Sequence, residues 1–169
     1  MYSLNAPLPG AVSALASRLA RQLPEARARA RGEHTLVVKR LGDGDAETFA
    51  RLSARAREAL AGAPAVEARV TGVDHFPVAA SGPSPVVYLA VESPGLEALH
   101  RRLSEVFDPV PDVEGEDYVP HVTVARGGTV AAADRLADRG IDPIAWKVTE
   151  LAFRDAERGQ RAGTVALPA

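Results

Sequence analysis

The order of the predicted secondary-structure elements repeats once along the chain, and this repetition constrains the fold more than any other feature. After one N-terminal strand, the series helix, strand, helix, strand, strand occurs twice within the 169 residues. The helices show apolar residues at spacings of three and four, and the strands are β-branched and aliphatic runs bounded by glycine or proline. A doubly wound sheet would place a helix between successive strands, whereas two consecutive strands close each copy here. The sequence therefore predicts an α+β fold of two pseudosymmetric lobes, each an antiparallel-rich sheet with helices on its outer face, around a central cleft.

The predicted elements define one bilobal domain over residues 1–169, with lobe 1 at about 1–92 and lobe 2 at about 93–169. Helices are predicted at about residues 11–23, 45–62, 94–107 and 130–139, with Asp45 and Thr129 as N-caps of the second and fourth. Strands are predicted at 1–5 (a sheet edge), 34–41, 66–73, 86–92, 119–125, 145–153 and 162–167. Residues 26–32 lack an apolar stripe and are predicted to be a solvated helical extension or a loop.

Composition excludes several kinds of site. The chain has no cysteine, which excludes disulfides, thiolate-ligated zinc, iron–sulfur clusters and a cysteine nucleophile. The formal net charge of -2 gives no general attraction to nucleic acid or membranes, although a local basic patch could still bind a polyanion. Neither a signal-peptide pattern nor a run of 18 apolar residues occurs, so we expect a soluble, cytoplasmic protein without membrane contact.

Two of the four histidines begin apolar strands and are followed by a hydroxyl residue. Their segments lie 87 positions apart and read His34-Thr35-Leu36-Val37-Val38-Lys39 and His121-Val122-Thr123-Val124-Ala125-Arg126. Side chains alternate along a strand, so His121 and Thr123 are expected on one face. Two such pairs across a cleft would supply an acid, a base and two anchors around one phosphorus, without a metal. His75 and His100 lack ligand or triad spacing, and structural roles are predicted for both.

The segment Tyr118-Val119-Pro120-His121-Val122-Thr123-Val124-Ala125-Arg126 resembles the second motif of the 2H phosphoesterase superfamily. That superfamily includes the 2′-5′ RNA ligases and RNA 2′,3′-cyclic phosphodiesterases, and it has two His-x-Thr/Ser-x motifs on two pseudosymmetric lobes. Gly72-Val73, Phe76-Pro77 and the strand at 86–91 resemble the family's middle region. The resemblance implies metal-independent hydrolysis of a 2′,3′-cyclic phosphate RNA end to a 2′-phosphate, with reverse 2′-5′ ligation as a potential second activity. It implies RNA ends or nucleotide cyclic phosphates as partners, no cofactor and no obligate protein partner.

Carried over to this chain, the resemblance implies His34 as proton donor and His121 as proton acceptor. Thr123, Arg126 and Thr35 are implied as phosphate-binding residues. A bell-shaped pH–rate profile would follow, because one imidazole must be neutral while the other is protonated.

The first motif departs from the family pattern, because Thr35 directly follows His34 and Leu36 occupies the hydroxyl position. Three explanations remain open. A β-bulge could turn both side chains inward, the first lobe could keep only its histidine, or Glu33 and Thr35 could fill the two positions of the motif. The displaced threonine motivates an alternative function, a non-catalytic module that binds RNA ends or nucleotides. A 2H phosphodiesterase acting on small cyclic nucleotides is a further alternative.

Overall fold

The computed structural model describes residues 1–30 and 32–168, and within them the chain forms two antiparallel sheets and four α-helices. The helices are α1 (Gly10–Ala20), α2 (Ala46–Ala59), α3 (Pro94–Ser104) and α4 (Val130–Ala137). The strands are β1 (Tyr2–Ala6), β2 (Ala26–Ala28), β3 (Leu36–Gly42), β4 (Val66–Phe76), β5 (Val86–Glu92), β6 (His121–Gly127), β7 (Ile144–Val148), β8 (Glu150–Asp155) and β9 (Gln160–Ala166). The predicted α+β fold is confirmed. No helix of the described residues is both long and apolar enough to cross a membrane.

The second and fourth helices begin at the side-chain caps that the sequence predicts. Asp45 accepts a hydrogen bond from the backbone N–H of Thr48 at 2.9 Å, and Thr129 accepts one from Ala132 at 3.1 Å. Each bond satisfies an amide that has no partner within its helix. Both predicted N-caps are therefore confirmed.

The two sheets combine strands from both halves of the chain. The first sheet has the order β3-β1-β8-β9, and the second has the order β2-β6-β5-β4-β7. A boundary near residue 92 therefore does not separate the sheets. The prediction of an edge position for the N-terminal strand is wrong, because β1 pairs with β3 on one side and β8 on the other. The single strand predicted at 145–153 is two strands, β7 and β8, which belong to different sheets.

The segment after α1 forms a strand where a helical extension or loop was predicted. β2 adds to the edge of the second sheet, with Ala26 opposite Gly127 and Ala28 opposite Ala125 of β6. The backbone N–H of Arg29 continues the pairing by donating to the carbonyl of Val124 at 3.1 Å. Pairing with a neighbouring strand thus determines the conformation of a segment that has no apolar pattern of its own.

The outer faces of the sheets are covered by helices, and this leaves the inner faces of the strands to form a cleft. On α2, Phe49 packs against Tyr2 of β1 and Phe153 of β8. Its ring centroid lies 4.8 Å from that of Tyr2 and 5.8 Å from that of Phe153. On β3, Leu36 and Val38 are buried toward this core, whereas Thr35 and Val37 are half-buried on the inner side. Apolar burial on one face therefore fixes which side chains face the cleft.

A buried ion pair holds the 108–118 loop against β3. Lys39 is fully buried, and its Nζ lies 2.5 Å from Oε2 of Glu114. The same carboxylate accepts hydrogen bonds from the backbone N–H of Arg40 and of Val110. Burial raises the pKa of Glu114, but the hydrogen bonds from Lys39 and the two amides outweigh it and hold the pKa below its usual value.

Because the partner charge would remain buried, we expect Glu114→Gln to lower the free energy of unfolding at pH 7 by about 3–5 kcal/mol. Urea denaturation measures this change. Since the folded pKa of Glu114 is depressed, its contribution is complete above about pH 5 and is lost as the pH falls through the folded pKa. Glu47→Gln removes an exposed carboxylate paired with Arg51, so a loss below about 1 kcal/mol is expected for it. Equal losses in the two variants would contradict the buried pair.

Candidate active site

A cleft of about 200 Å³ lies between the inner faces of the two sheets. Residues of β3 line one side, residues of β6 line the opposite side, and the 108–118 loop forms part of the rim. The polar side chains of the two strands that face it are Thr35, Arg40, His121, Thr123 and Arg126. The fold thus brings together all three predicted phosphate-binding residues with one of the two predicted catalytic histidines.

The two strands present equivalent positions to the cleft at a separation of 86 residues. The pairs are Thr35 and His121, Val37 and Thr123, and Arg40 and Arg126. The predicted offset of 87, which matched His34 with His121, is therefore one residue too long. In the first lobe a hydroxyl stands in the place of the imidazole, and an isopropyl group in the place of the hydroxyl.

A β-bulge at the same position in both strands explains how the arginines reach the cleft. The pairing of β1 with β3 skips Val38, and the pairing of β5 with β6 skips Val124. These two valines are also 86 residues apart. An extra residue reverses the alternation beyond it, so Arg126 lies on the same side as His121 instead of opposite to it.

His34 does not line this cleft. It precedes β3, is buried, and lines a small cavity beside Pro7 and Leu8 that shares Thr35 with the cleft. Neither of its ring nitrogens meets a hydrogen-bond partner within residues 1–30 and 32–168. Burial, and then the charge of Arg29, lower the pKa of His34. The bulges at Val38 and beyond it follow His34 in the chain and so do not turn it inward.

The other positions proposed for the first motif can now be assigned. Glu33 lines a neighbouring groove rather than the cleft, and Thr35 lines both. At the offset of 86 the two positions of the motif fall on Thr35 and Val37. The first lobe therefore retains a histidine in its sequence but none in its half of the cleft.

The imidazole of His121 is held in one orientation. Its Nδ1 lies 2.6 Å from the carbonyl oxygen of Val119, so Nδ1 carries the proton and donates it, and Nε2 keeps a free lone pair. The rings of Phe76 and Tyr88 flank it at 5.4 and 5.3 Å. Burial, with smaller effects from Arg40 and Arg126, lowers the pKa of His121 despite the bond to Val119. A neutral imidazole with an available Nε2 can act as a proton acceptor near pH 7.

Three arginines converge on the cleft. Arg29, Arg40 and Arg126 all line it, and Nη1 of Arg126 donates to the carbonyl oxygen of Ser81 at 2.8 Å. Burial and then the charges of Arg29 and Arg40 lower the pKa of Arg126. The three guanidinium groups carry like charges that repel one another, and a bound anion would offset that repulsion.

Sequence reasoning missed Val37, Arg29 and Arg40 as cleft residues. Comparison of the two halves at an offset of 86 identifies Val37 and Arg40, because this offset aligns an arginine with an arginine. Arg29 carries no such signal, since its position depends on the pairing of β2 with β6. At the offset of 87 the residue that matches Arg126 is Lys39, which is fully buried and paired with Glu114.

The remaining histidines have structural contacts, as predicted. Nδ1 of His100 donates to the carbonyl oxygen of Val38 at 2.7 Å, and its Nε2 accepts from the backbone N–H of Gly115. Nε2 of His75 lies 2.6 Å from Oδ1 of Asp134 on α4. Among the described residues, no group of three or more histidine, aspartate and glutamate side chains is placed to hold a metal ion.

Comparisons with known proteins give matches to both the sequence and the fold. The model of the 2′-5′ RNA ligase superfamily matches residues 35–160, which is more than half of the chain. Among solved structures, TT0787 of Thermus thermophilus gives a TM-score of 0.67 at 20% identity, over 98% of this chain and 97% of that one. Escherichia coli LigT complexed with NADP+ gives 0.67 at 19%, over 99% and 97%. Usb1 of Kluyveromyces marxianus gives 0.57 at 12%, over 99% and 97%. No curated protein matches the chain significantly.

Proposed function

Because the chain belongs to the 2′-5′ RNA ligase superfamily, whose members are 2H phosphoesterases, we propose that its cleft binds and hydrolyses 2′,3′-cyclic phosphate ends of RNA. The observation that carries this proposal is the convergence of His121, Thr123 and three arginines on one small cleft. Solved structures of E. coli LigT contain 3′-AMP, ATP or phosphate, which supports a nucleotide phosphate as the ligand class.

The positive charge of the cleft suits a phosphate. Arg126 and Arg40 lie on opposite strands at equivalent positions, so their guanidinium groups can approach one phosphate from both sides. A guanidinium donates two parallel hydrogen bonds to an oxyanion, and the hydroxyl of Thr123 adds one more donor. Phe76 beside His121 offers a surface on which a base can stack.

The proposed step is the addition of water to phosphorus. Nε2 of His121 accepts a proton from the water, a new P–O bond forms, and the bond from phosphorus to the ribose 3′ oxygen breaks. The arginines stabilise the charge that develops on the nonbridging oxygens. His121 then returns its proton to solvent, and the product carries a 2′-phosphate.

The first lobe supplies no imidazole to protonate the leaving oxygen. Thr35 occupies that position, and a hydroxyl is a far weaker acid than an imidazolium, so the leaving oxygen takes its proton from water. A positioned acid contributes about 10²–10⁴-fold to such a step. We therefore propose slow turnover. The same residues would serve the reverse 2′-5′ ligation.

A second candidate function is a non-catalytic module that binds RNA ends or nucleotides. The observation that favours it is that Thr35 and Val37 occupy the positions equivalent to His121 and Thr123. Binding needs the arginines but not a second imidazole.

An oligonucleotide ending in a 2′,3′-cyclic phosphate, incubated with the protein in excess chelator, distinguishes these functions. We expect conversion to the 2′-phosphate, identified by ³¹P NMR, because every group in the proposed step is a side chain or water. Retention of the oligonucleotide without turnover would favour the binding module. Loss of turnover on chelation, with recovery in zinc or manganese, would overturn the mechanism, and absence of both binding and turnover would overturn both functions.

A further inference from the structure

A second groove continues from the cleft across the inner face of the first sheet. Its volume is about 480 Å³, and it shares Arg29, Thr35, Val37 and Arg40 with the cleft. From this groove we propose a second subsite, which binds the nucleotide adjoining the terminal one and so selects RNA chains over mononucleotides. This inference rests on the proposed function, since the cyclic phosphate must occupy the cleft for the adjoining nucleotide to reach the groove.

The register of the first sheet places two arginines on the floor of this groove. Ser3 of β1 is the partner of Arg40 on β3 and of Arg154 on β8. Partners in adjacent strands point to the same face, and all three side chains line the groove. The backbones of the two arginines are two strand spacings apart, roughly 10 Å. Arg40 is the arginine that also lines the cleft. Arg154 is thus positioned for a second phosphate while Arg40 contacts the first.

An unsatisfied amide on the same floor indicates a ligand with a hydrogen-bond donor. Asn5 is only 6% exposed, and its Nδ2 donates to Oγ of Ser3 at 2.9 Å. Its Oδ1 has no hydrogen-bond partner among the described residues. A buried acceptor favours a ligand that can donate to it, and a ribose 2′-hydroxyl or a base amino group does so.

The charge of the groove agrees with this assignment. Arg29, Arg40 and Arg154 line it, and Glu33 is the one carboxylate that does so within residues 1–30 and 32–168. Arg154 forms no ion pair with any described carboxylate. A positively charged groove that follows the sugar–phosphate backbone is typical of single-strand binding.

The test compares adenosine 2′,3′-cyclic phosphate with the ApA dinucleotide that ends in the same cyclic phosphate. We expect the dinucleotide to bind at least about 10-fold more tightly than the mononucleotide. In a plot of log affinity against log salt concentration, its slope should be steeper by roughly 0.7, the value for one added phosphate contact on a single strand. Arg154→Ala should bring the dinucleotide to within about threefold of the mononucleotide and leave mononucleotide binding unchanged. Arg51→Ala removes the same charge from the outer side of α2, so both ligands should bind to it as to the unchanged protein.

The outcomes separate the subsite from the function of the cleft. Equal affinities for the two ligands, or an Arg154→Ala variant that still prefers the dinucleotide, would overturn the subsite while the cleft function stands. Failure of both ligands to bind the unchanged protein would overturn the proposed function itself. A matching loss in Arg51→Ala would show that the preference reflects net charge and would also overturn the subsite.

Discussion

Replacing Thr35 by histidine and Val37 by threonine should raise kcat for cyclic phosphate hydrolysis by about 10²–10⁴-fold, the usual contribution of one positioned acid. The two positions, one directly before β3 and one on it, line the cleft as His121 and Thr123 do on β6, and the bulge that follows each pair is also shared. The double substitution therefore places an imidazole and a hydroxyl across the cleft from the existing pair. Initial rates with a cyclic-phosphate oligonucleotide measure the gain.

The pH dependence gives an independent reading of the same change. In the unchanged protein only His121 must be in a defined state, so the rate should fall on one side alone, as the pH drops through a pKa below 6.5. With a second imidazole the profile should become bell-shaped, because the new group must be protonated while His121 is neutral. Val37→Thr alone adds a hydroxyl without an acid, and we expect less than about a tenfold effect from it. A folded double variant without a gain in rate would show that these positions are not the equivalent of His121 and Thr123.

His121→Ala should lower kcat by about 10²–10⁴-fold, because it removes the one imidazole that lines the cleft within the described residues. The rate should be measured at pH 7 with the unchanged substrate, and circular dichroism should show that the fold is retained. Substrate binding should weaken less, since the arginines remain in place.

His34→Ala is the matched comparison for that variant. Sequence reasoning predicts an equal loss from it, whereas a histidine that does not line the cleft should leave kcat within about threefold. Similar losses in the two variants would restore the two-histidine mechanism and contradict the assignment of Thr35 to the position equivalent to His121. Full activity in His121→Ala would show that His121 is not the proton acceptor and would overturn the proposed step.

Local patterns were sufficient to predict the helices and most of the strands. Asp45 and Thr129 identify helix starts because a cap requires only a side chain and an amide three residues later. The predicted N-terminal strand also exists, but its neighbours could not be predicted, because pairing with β8 depends on residues about 150 positions away in the chain.

The site was harder to predict because an error of one residue in the alignment exchanges the two faces of a strand. His34 and Thr35 differ by one position, so matching the wrong one to His121 exchanges the two faces of β3. Bulges at Val38 and Val124 add a second reversal that no periodicity shows, and they determine where Arg40 and Arg126 point. The burial of Lys39 could not be predicted, because a lysine is rarely buried unless paired and its partner Glu114 lies 75 residues further on.

The position of β1 between β3 and β8 has a consequence for how the chain folds during its synthesis. β1 and β3 can pair once Gly42 has left the ribosome, but the other edge of β1 must wait for β8, more than a hundred residues later. Throughout that interval a nascent two-stranded ribbon exposes an unpaired edge and the apolar face of Leu4 and Leu36, which native packing later covers. Pairing between residues so far apart in sequence makes closure of this sheet a late folding event, and the exposed edge is open to association with other chains until then.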